Sequence, residues 1–231
     1  MNEEIERELL KRGAGIVRFV DISGFDHDMT LGYSRAILFC LVLSKDYLVG
    51  LQNGQPMDYD NDEYLTKERN VEDLADWLAE FVQQKGYNAH SQSEKSNMEH
   101  GYIERAYIDP ELQQGISILP QKSIARVAGL GFIGKNNLLI TKDYGCALCL
   151  CSVLSDAPVV TENHPLIQSE CGGCTVCVEN CPGAALHGNE WTISGGRESL
   201  VDVAKCCCAL QCMIVCPWTV EYATRPEATP L

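Results

Sequence analysis

The sequence has little positive charge to offer a polyanion. It carries 18 lysines and arginines against 32 acidic residues, a net charge of −14. That balance works against non-specific binding to nucleic acid or to an anionic membrane, and predicts nucleic acid as an improbable partner. Long apolar runs are also missing. The longest, AILFCLVL at 36–43, is far short of the ~20 residues needed to span a bilayer. The first residues, MNEEIERELL, are acidic and lack the basic start and apolar stretch of a signal peptide. These absences predict a cytoplasmic protein with no membrane partner. Histidine is scarce, with five residues and no ligand spacing, so a histidine-built metal site is not expected.

What the chain has in excess is cysteine, 13 in 231 residues. In a reducing compartment clustered thiols point to metal or redox chemistry rather than disulfides. The run CGGCTVCVENCP places Cys171, Cys174, Cys177 and Cys181 as C-x2-C-x2-C-x3-C-P, the spacing of two-cluster bacterial ferredoxins. Two-residue gaps let one tight loop aim three thiolates at a cubane, and Gly172 and Gly173 leave room where the backbone wraps it. Zinc is the alternative, but its structural sites favour paired C-x2-C knuckles.

A second run, KCCCALQCMIVCP, holds five cysteines. Counting back from Cys216 and Pro217, the same template asks for cysteines at 212, 209 and 206; position 209 is Ala209. Two [4Fe–4S] clusters need eight thiolates in all, and segment 171–216 holds nine cysteines. In two-cluster proteins the cysteine before proline serves the other cluster. This gives one set of Cys171, Cys174, Cys177 and Cys216, and a second of Cys181, Cys206, Cys212 and one of the vicinal pair Cys207–Cys208. Cys208 is preferred, leaving Cys207 spare. The alternative is one cluster plus a group of buried or redox-sensing thiols. Cys146, Cys149 and Cys151 form C-x2-C-x-C in a strand-like stretch, where Cys149 and Cys151 share a face and Cys146 points away. Core packing is expected for them, as for Cys40.

Periodicity predicts a helix over 2–12 with Ile5, Leu9 and Leu10 on one face, strands over 14–23 and 34–44, and a long helix over 61–85. A further strand follows Gly86. SIARVA (123–128) reads as a helix capped by Ser123, and NLLIT and CALCLCSVL as two strands joined at KDYG. The acidic stretch 58–64 reads as a solvated loop leading into a helix. The expected fold is α+β: an α/β layered domain over 1–162 and a cysteine-rich, ferredoxin-like domain over 163–231.

GLGFIGKN (129–136) satisfies G-x-G-x-x-G and nearly satisfies a P-loop. Both motifs need a strand before and a helix after, and here the order is reversed. Lys122, Arg126 and Lys135 nonetheless gather positive charge around this turn, either as a surface feature or as the lining of an anionic-ligand pocket.

LPQKSIARVAGLGFIGKNNLLIT followed by the double cysteine run and CPGAALHGNEWTISGGRESLVD resembles the epoxyqueuosine reductase family and its shorter double-cluster relatives. The resemblance implies an N-terminal domain of flavin- or cobalamin-reductase type that holds a corrinoid. Two [4Fe–4S] clusters would pass low-potential electrons to base-off cobalamin, supplied by a ferredoxin- or flavodoxin-type donor. A separate corrinoid protein as acceptor is a further implied partner. Lys122, Arg126, Gly129, Gly131, Gly134 and Lys135 would lie on the corrinoid side. The tRNA-modifying members carry an essential acid before this turn; Asp109, in YIDP, is the nearest match but is displaced by six residues. Their C-terminal helical-repeat extension has no counterpart before Leu231, and their usual insert in the second cysteine run is collapsed here. These departures make an electron-delivering redox protein the leading expectation. A tRNA-modifying reductase with Asp109 as proton donor, or a plain electron carrier, are the alternatives.

Overall fold

The computed structural model describes residues 1–101, 118–192 and 195–226. The first hundred residues form α1 (Asn2–Lys11), β1 (Ile16–Asp21), α2 (His27–Thr30), β2 (Arg35–Val42), α3 (Lys45–Gln52), α4 (Glu63–Gln83), β3 (Ala89–Ser91) and α5 (Glu94–Glu99). From residue 118 onward come α6 (Gln121–Val127), β4 (Phe132–Ile133), β5 (Leu139–Ile140), β6 (Leu148–Ser155), α7 (Val176–Glu179), α8 (Gln211–Ile214) and α9 (Pro217–Thr224). The chain is thus a mixed helix-and-sheet protein.

It divides into two compact units, and not by a single cut. The first comprises residues 1–42, 64–130 and 149–167; the second comprises 43–63, 131–148 and 168–231. Two stretches from within 1–162 therefore belong with the cysteine-rich segment. The reason is local chemistry: 168–226 has too few apolar side chains to close a core, and α3 and the β4–β5 hairpin supply them.

The first unit is built on a four-stranded sheet in the order β1-β2-β6-β3. β1 and β2 run antiparallel with Ile16 opposite Cys40 and Phe19 opposite Ile37; β3 and β6 run antiparallel with Ala89 opposite Ser155. β2 is buried along its length, as its unbroken apolar run requires. Helix α4 buries Val71, Leu74, Ala75, Leu78, Ala79 and Val82 at helical spacing. Helix α1 buries Ile5 and Leu9 but leaves Leu10 48% exposed, so its apolar face is narrower than the sequence suggested.

In the second unit β4 and β5 form a hairpin, with Phe132 opposite Ile140. β5 was expected as a strand joined to the next at KDYG, with no pairing to β4 foreseen. It turns back instead because Asn137 adopts a left-handed conformation (φ 57°) and Gly134 N–H donates to Leu138 O at 2.9 Å. Ser123 is likewise not the cap of α6, which begins two residues earlier after Pro120; Ser123 N–H donates to Pro120 O at 2.8 Å. The acidic stretch is not wholly solvated, since Asp62 is 3% exposed and accepts a hydrogen bond from Tyr47 Oη at 2.9 Å. Helix α9 packs beside α3, where Tyr222 Oη donates to Leu43 O at 3.0 Å. Among the described residues no helix is long and apolar enough to cross a membrane.

Candidate metal centre

The second unit holds the two cysteine runs, and its core there is very small. Ala185, Leu186 and Val201 are buried together, with Cys177, Cys181 and Cys212 packed against them beside Val178 and Val203. Around the first run this apolar cluster is small, and a bound metal cluster would add to what apolar burial supplies there.

The first run starts as a tight turn. Gly172 takes a left-handed conformation (φ 49°), Cys174 N–H donates to Cys171 O at 2.9 Å, and α7 carries Cys177. After Cys181, whose Sγ accepts from Ala185 N–H at 3.3 Å, Gly183 lies against the backbone of Lys205. A Cβ on Gly183 would stand 2.0 Å from Lys205 O, so only glycine lets the two cysteine runs approach here. In the second run Cys208 and Leu210 both take left-handed conformations (φ 51° and 55°), strain that persists where surroundings impose it. Cys212 sits on α8, and Cys216 occupies the N-cap position of α9, followed by Pro217.

The thiols of the two runs act on one another. Cys177 is pushed up to about 11 by burial and by the charges of Cys216, Cys171 and Cys174. Cys212 is pushed up to about 12 by burial and by the charges of Cys206, Cys177 and Cys181. Cys208 hydrogen-bonds Cys206, and Arg197 lies in the field of both. Cys206, Cys207 and Cys208 are exposed, whereas Cys216 is buried. None of the thirteen cysteines is in a disulfide. Among the described residues no three His, Cys, Asp or Glu side chains converge tightly enough for a single metal ion. A four-iron cluster spreads its thiolates more widely than one ion does, and these thiol-only sets suit its chemistry. Bound iron would also reverse the upward shifts, because it holds each ligand as thiolate.

Cys216 is the exception to the upward shifts. A hydrogen bond from the Cys146 thiol lowers it, against burial, with help from the backbone N–H groups of Trp218 and Thr219 at the helix start and from the Thr219 hydroxyl. The same contact, together with burial, pushes Cys146 the other way. Cys146 is therefore buried as expected, but it has a specific partner that core packing does not describe. Cys40, Cys149 and Cys151 are buried thiols raised mainly by burial, Cys40 to about 12.

The basic residues of the turn at 129–135 part company. Lys122 and Arg126 lie half-buried on α6 in the first unit. Lys135, in the second, is 8% exposed and donates to Gly172 O at 2.6 Å and Cys174 O at 3.2 Å. Its charge is spent on the backbone of the first cysteine loop. Lys135→Met should cost about 1.5–3 kcal/mol, the worth of hydrogen bonds to a charged group, and speed loss of iron to a chelator, measured by the decay of cluster absorbance.

The glycines of the turn face protein. A Cβ on Gly129 (φ 65°) would strike His164 at 2.5 Å, one on Gly131 would lie 1.9 Å from Ile140 O, and one on Gly134 would meet the Ile140 side chain at 2.4 Å. Close packing thus requires glycine at all three. Asp109 lies outside the described residues.

No family model matches the chain. In sequence it is 42% identical over 126 positions to an epoxyqueuosine reductase of Lactococcus garvieae, covering 47% of this chain and 35% of that protein. It is 37% identical over 90 positions to the epoxyqueuosine reductase of Staphylococcus aureus, covering 38% of this chain and 23% of that one. The chain is a relative of the epoxyqueuosine reductases. It spans about a quarter to a third of the length of these two relatives. In fold it is similar to an epoxyqueuosine reductase solved with a tRNA-Tyr stem loop, with TM-score 0.56, 16% identity, and coverage of 96% of this chain and 66% of that one. It is also similar to a reductive dehalogenase described as B12-dependent, with TM-score 0.66, 18% identity, and coverage of 96% and 32%.

Proposed function

We propose that this epoxyqueuosine reductase relative is itself a reductase of that kind, carrying two [4Fe–4S] clusters and acting on a modified base in RNA. The observation that supports it most is the grouping of thiols in the second unit. Cys177 sits in the field of Cys216, Cys171 and Cys174, and Cys212 in that of Cys206, Cys177 and Cys181, so the two runs lie together around Cys177 and Cys212. On this reading Cys171, Cys174, Cys177 and Cys216 hold one cluster, and Cys181, Cys206, Cys208 and Cys212 hold the other. Bound there, the clusters supply one-electron transfer at low potential.

The chain's own residues do the rest. Cys206 and Cys208 bring the second set to the surface, where a ferredoxin- or flavodoxin-type donor would dock. Cys216 carries the first set into the interior. Lys135 fixes the loop that presents Cys171 and Cys174. Asp109 is proposed as the proton donor. Cobalamin enters as the acceptor on the likeness to the B12-dependent dehalogenase.

The preference for RNA revises the weight given to net charge. A solved epoxyqueuosine reductase holds a tRNA stem loop, so a charge of −14 summed over the chain is a poor guide to one local surface. It favours instead a second reading, electron delivery to a corrinoid without RNA. The two separate in one experiment. Anaerobically reduced protein is mixed with cobalamin and an anticodon stem loop bearing epoxyqueuosine, and the nucleoside is analysed. Conversion to queuosine, lost in Asp109→Asn with iron content unchanged, is the expected result. Cobalamin reduction without conversion would leave the second reading, and neither would contradict both.

A further inference from the structure

Lys135 is a buried cation with no anion beside it. It is 8% exposed, and its ammonium donates to Gly172 O at 2.6 Å and to Cys174 O at 3.2 Å. Those two carbonyls take two of its three N–H donors. A carbonyl carries a dipole and no net charge, and among the described residues Lys135 forms no ion pair with a carboxylate. Buried charges are ordinarily paired, because an isolated one is costly to desolvate. The chain is not short of acid, with 32 acidic residues against 18 basic ones, so composition does not explain the missing partner.

The hairpin holds this charge in place. Lys135 stands in the loop between β4 and β5, which is closed by Gly134 N–H donating to Leu138 O at 2.9 Å and by the left-handed Asn137 (φ 57°). The next residue, Asn136, is 4% exposed; its Nδ2 donates to Cys212 O at 3.2 Å and its Oδ1 accepts from Leu138 N–H at 3.2 Å. Two neighbouring residues of one loop thus grip one cysteine run each. The first run is otherwise open here, since a Cβ on Gly172 or Gly173 would meet nothing within 4 Å. The ammonium therefore sits on the backbone of the Cys171–Cys174 turn, the part of the chain that would wrap the metal.

We propose that Lys135 is the counter-charge of the cluster on the first cysteine run, and that its ammonium raises the reduction potential of that cluster. The proposal rests on the cluster assignment above. A four-iron cluster with four thiolate ligands is an anion, and taking up one electron makes it more negative. Net charge and surroundings are among the determinants of its potential. A fixed cation favours the reduced form, and burial strengthens the effect because the field is less screened.

The test is an EPR-monitored redox titration of the purified holoprotein. Lys135→Met removes charge and hydrogen bonds, Lys135→Gln removes the charge but keeps an N–H donor, and Lys135→Arg keeps the charge. At the wild-type midpoint, Lys135→Met and Lys135→Gln should each lower the reduced-to-oxidised ratio of one cluster by about threefold to tenfold, tenfold being about 59 mV for a one-electron couple. The cluster affected should be the one whose signal is missing from Cys177→Ala/Cys216→Ala, and the other should move less. Lys135→Arg should stay closer to wild type. If Lys135→Met does not hold iron, Lys135→Gln carries the reading. An unchanged potential in the uncharged variants would overturn the proposal. So would a Lys135→Gln protein that titrates like wild type while Lys135→Met shifts, since the hydrogen bonds and not the charge would then set the potential. Loss of that cluster's iron from both uncharged variants would also overturn it, because Lys135 would then serve assembly. Wild-type protein that lacks this cluster would instead overturn the cluster assignment, and this proposal with it.

Discussion

The double variant Cys177→Ala/Cys216→Ala should retain about four irons per chain, whereas Cys177→Ala/Cys181→Ala should retain almost none. The contrast follows from crossing. Cys177 and Cys216 lie on different runs but in one thiol neighbourhood, so removing both destroys one cluster and spares the other. Cys177 and Cys181 lie on the same run, but the proposed assignment sends Cys181 to the cluster of Cys206 and Cys212. If each run served its own cluster, the outcomes would exchange: the first double variant would lose both clusters and the second only one. Iron and sulfide analysis of anaerobically purified protein reads the difference directly.

A second large effect is expected at Gly183, which ligates nothing itself but follows Cys181 by two residues. Gly183→Ala should lose the cluster proposed for Cys181, Cys206, Cys208 and Cys212 and keep the other. The added Cβ would stand 2.0 Å from Lys205 O and 3.1 Å from Lys205 C, and that neighbour is backbone, which cannot swing aside as a side chain can. Overpacking typically costs about 1–3 kcal/mol. Here the strain falls between Pro182, next to Cys181, and Lys205, next to Cys206, and so separates two ligands of one cluster. Gly172→Ala is the control. Its backbone is left-handed (φ 49°) but nothing lies within 4 Å of the added carbon. It should lose about 1–2 kcal/mol to backbone strain and keep both clusters. Iron content and the EPR spectrum of the reduced protein distinguish the pair.

How much of this was legible in the sequence depends on how local each feature is. The cysteine spacing is written within a dozen residues, because one loop must aim several thiolates at one object. The strands β1, β2 and β3 and the helix α4 were readable for the same reason: their apolar periodicity is a property of consecutive residues. The β4–β5 pairing was missed because Asn137 in a left-handed turn outcompeted the longer connection through KDYG. The partition of the chain was harder still. The cysteine-rich segment recruits 43–63 and 131–148, and no composition shift marks either border.

The residues that support the thiols were the least legible. Lys135 and Asn136 drew notice only as parts of a nucleotide-loop decoy, yet both are consumed by the cysteine loops. Cys146 looked like core because it sits beside a buried strand. One signal was available. It lies just before β6, out of phase with Cys149 and Cys151 if their alternation is read back to it, and a third buried thiol out of phase with its neighbours invites a search for a partner. That partner, Cys216, lies seventy residues away in the chain, beyond any local pattern.

The central claim is that this chain carries two four-iron clusters in its second unit, and the iron and acid-labile sulfide content of anaerobically purified wild-type protein tests it most directly. About eight of each per chain is the expected result. About four of each, with the remaining cysteines titrating as free thiols, would contradict it.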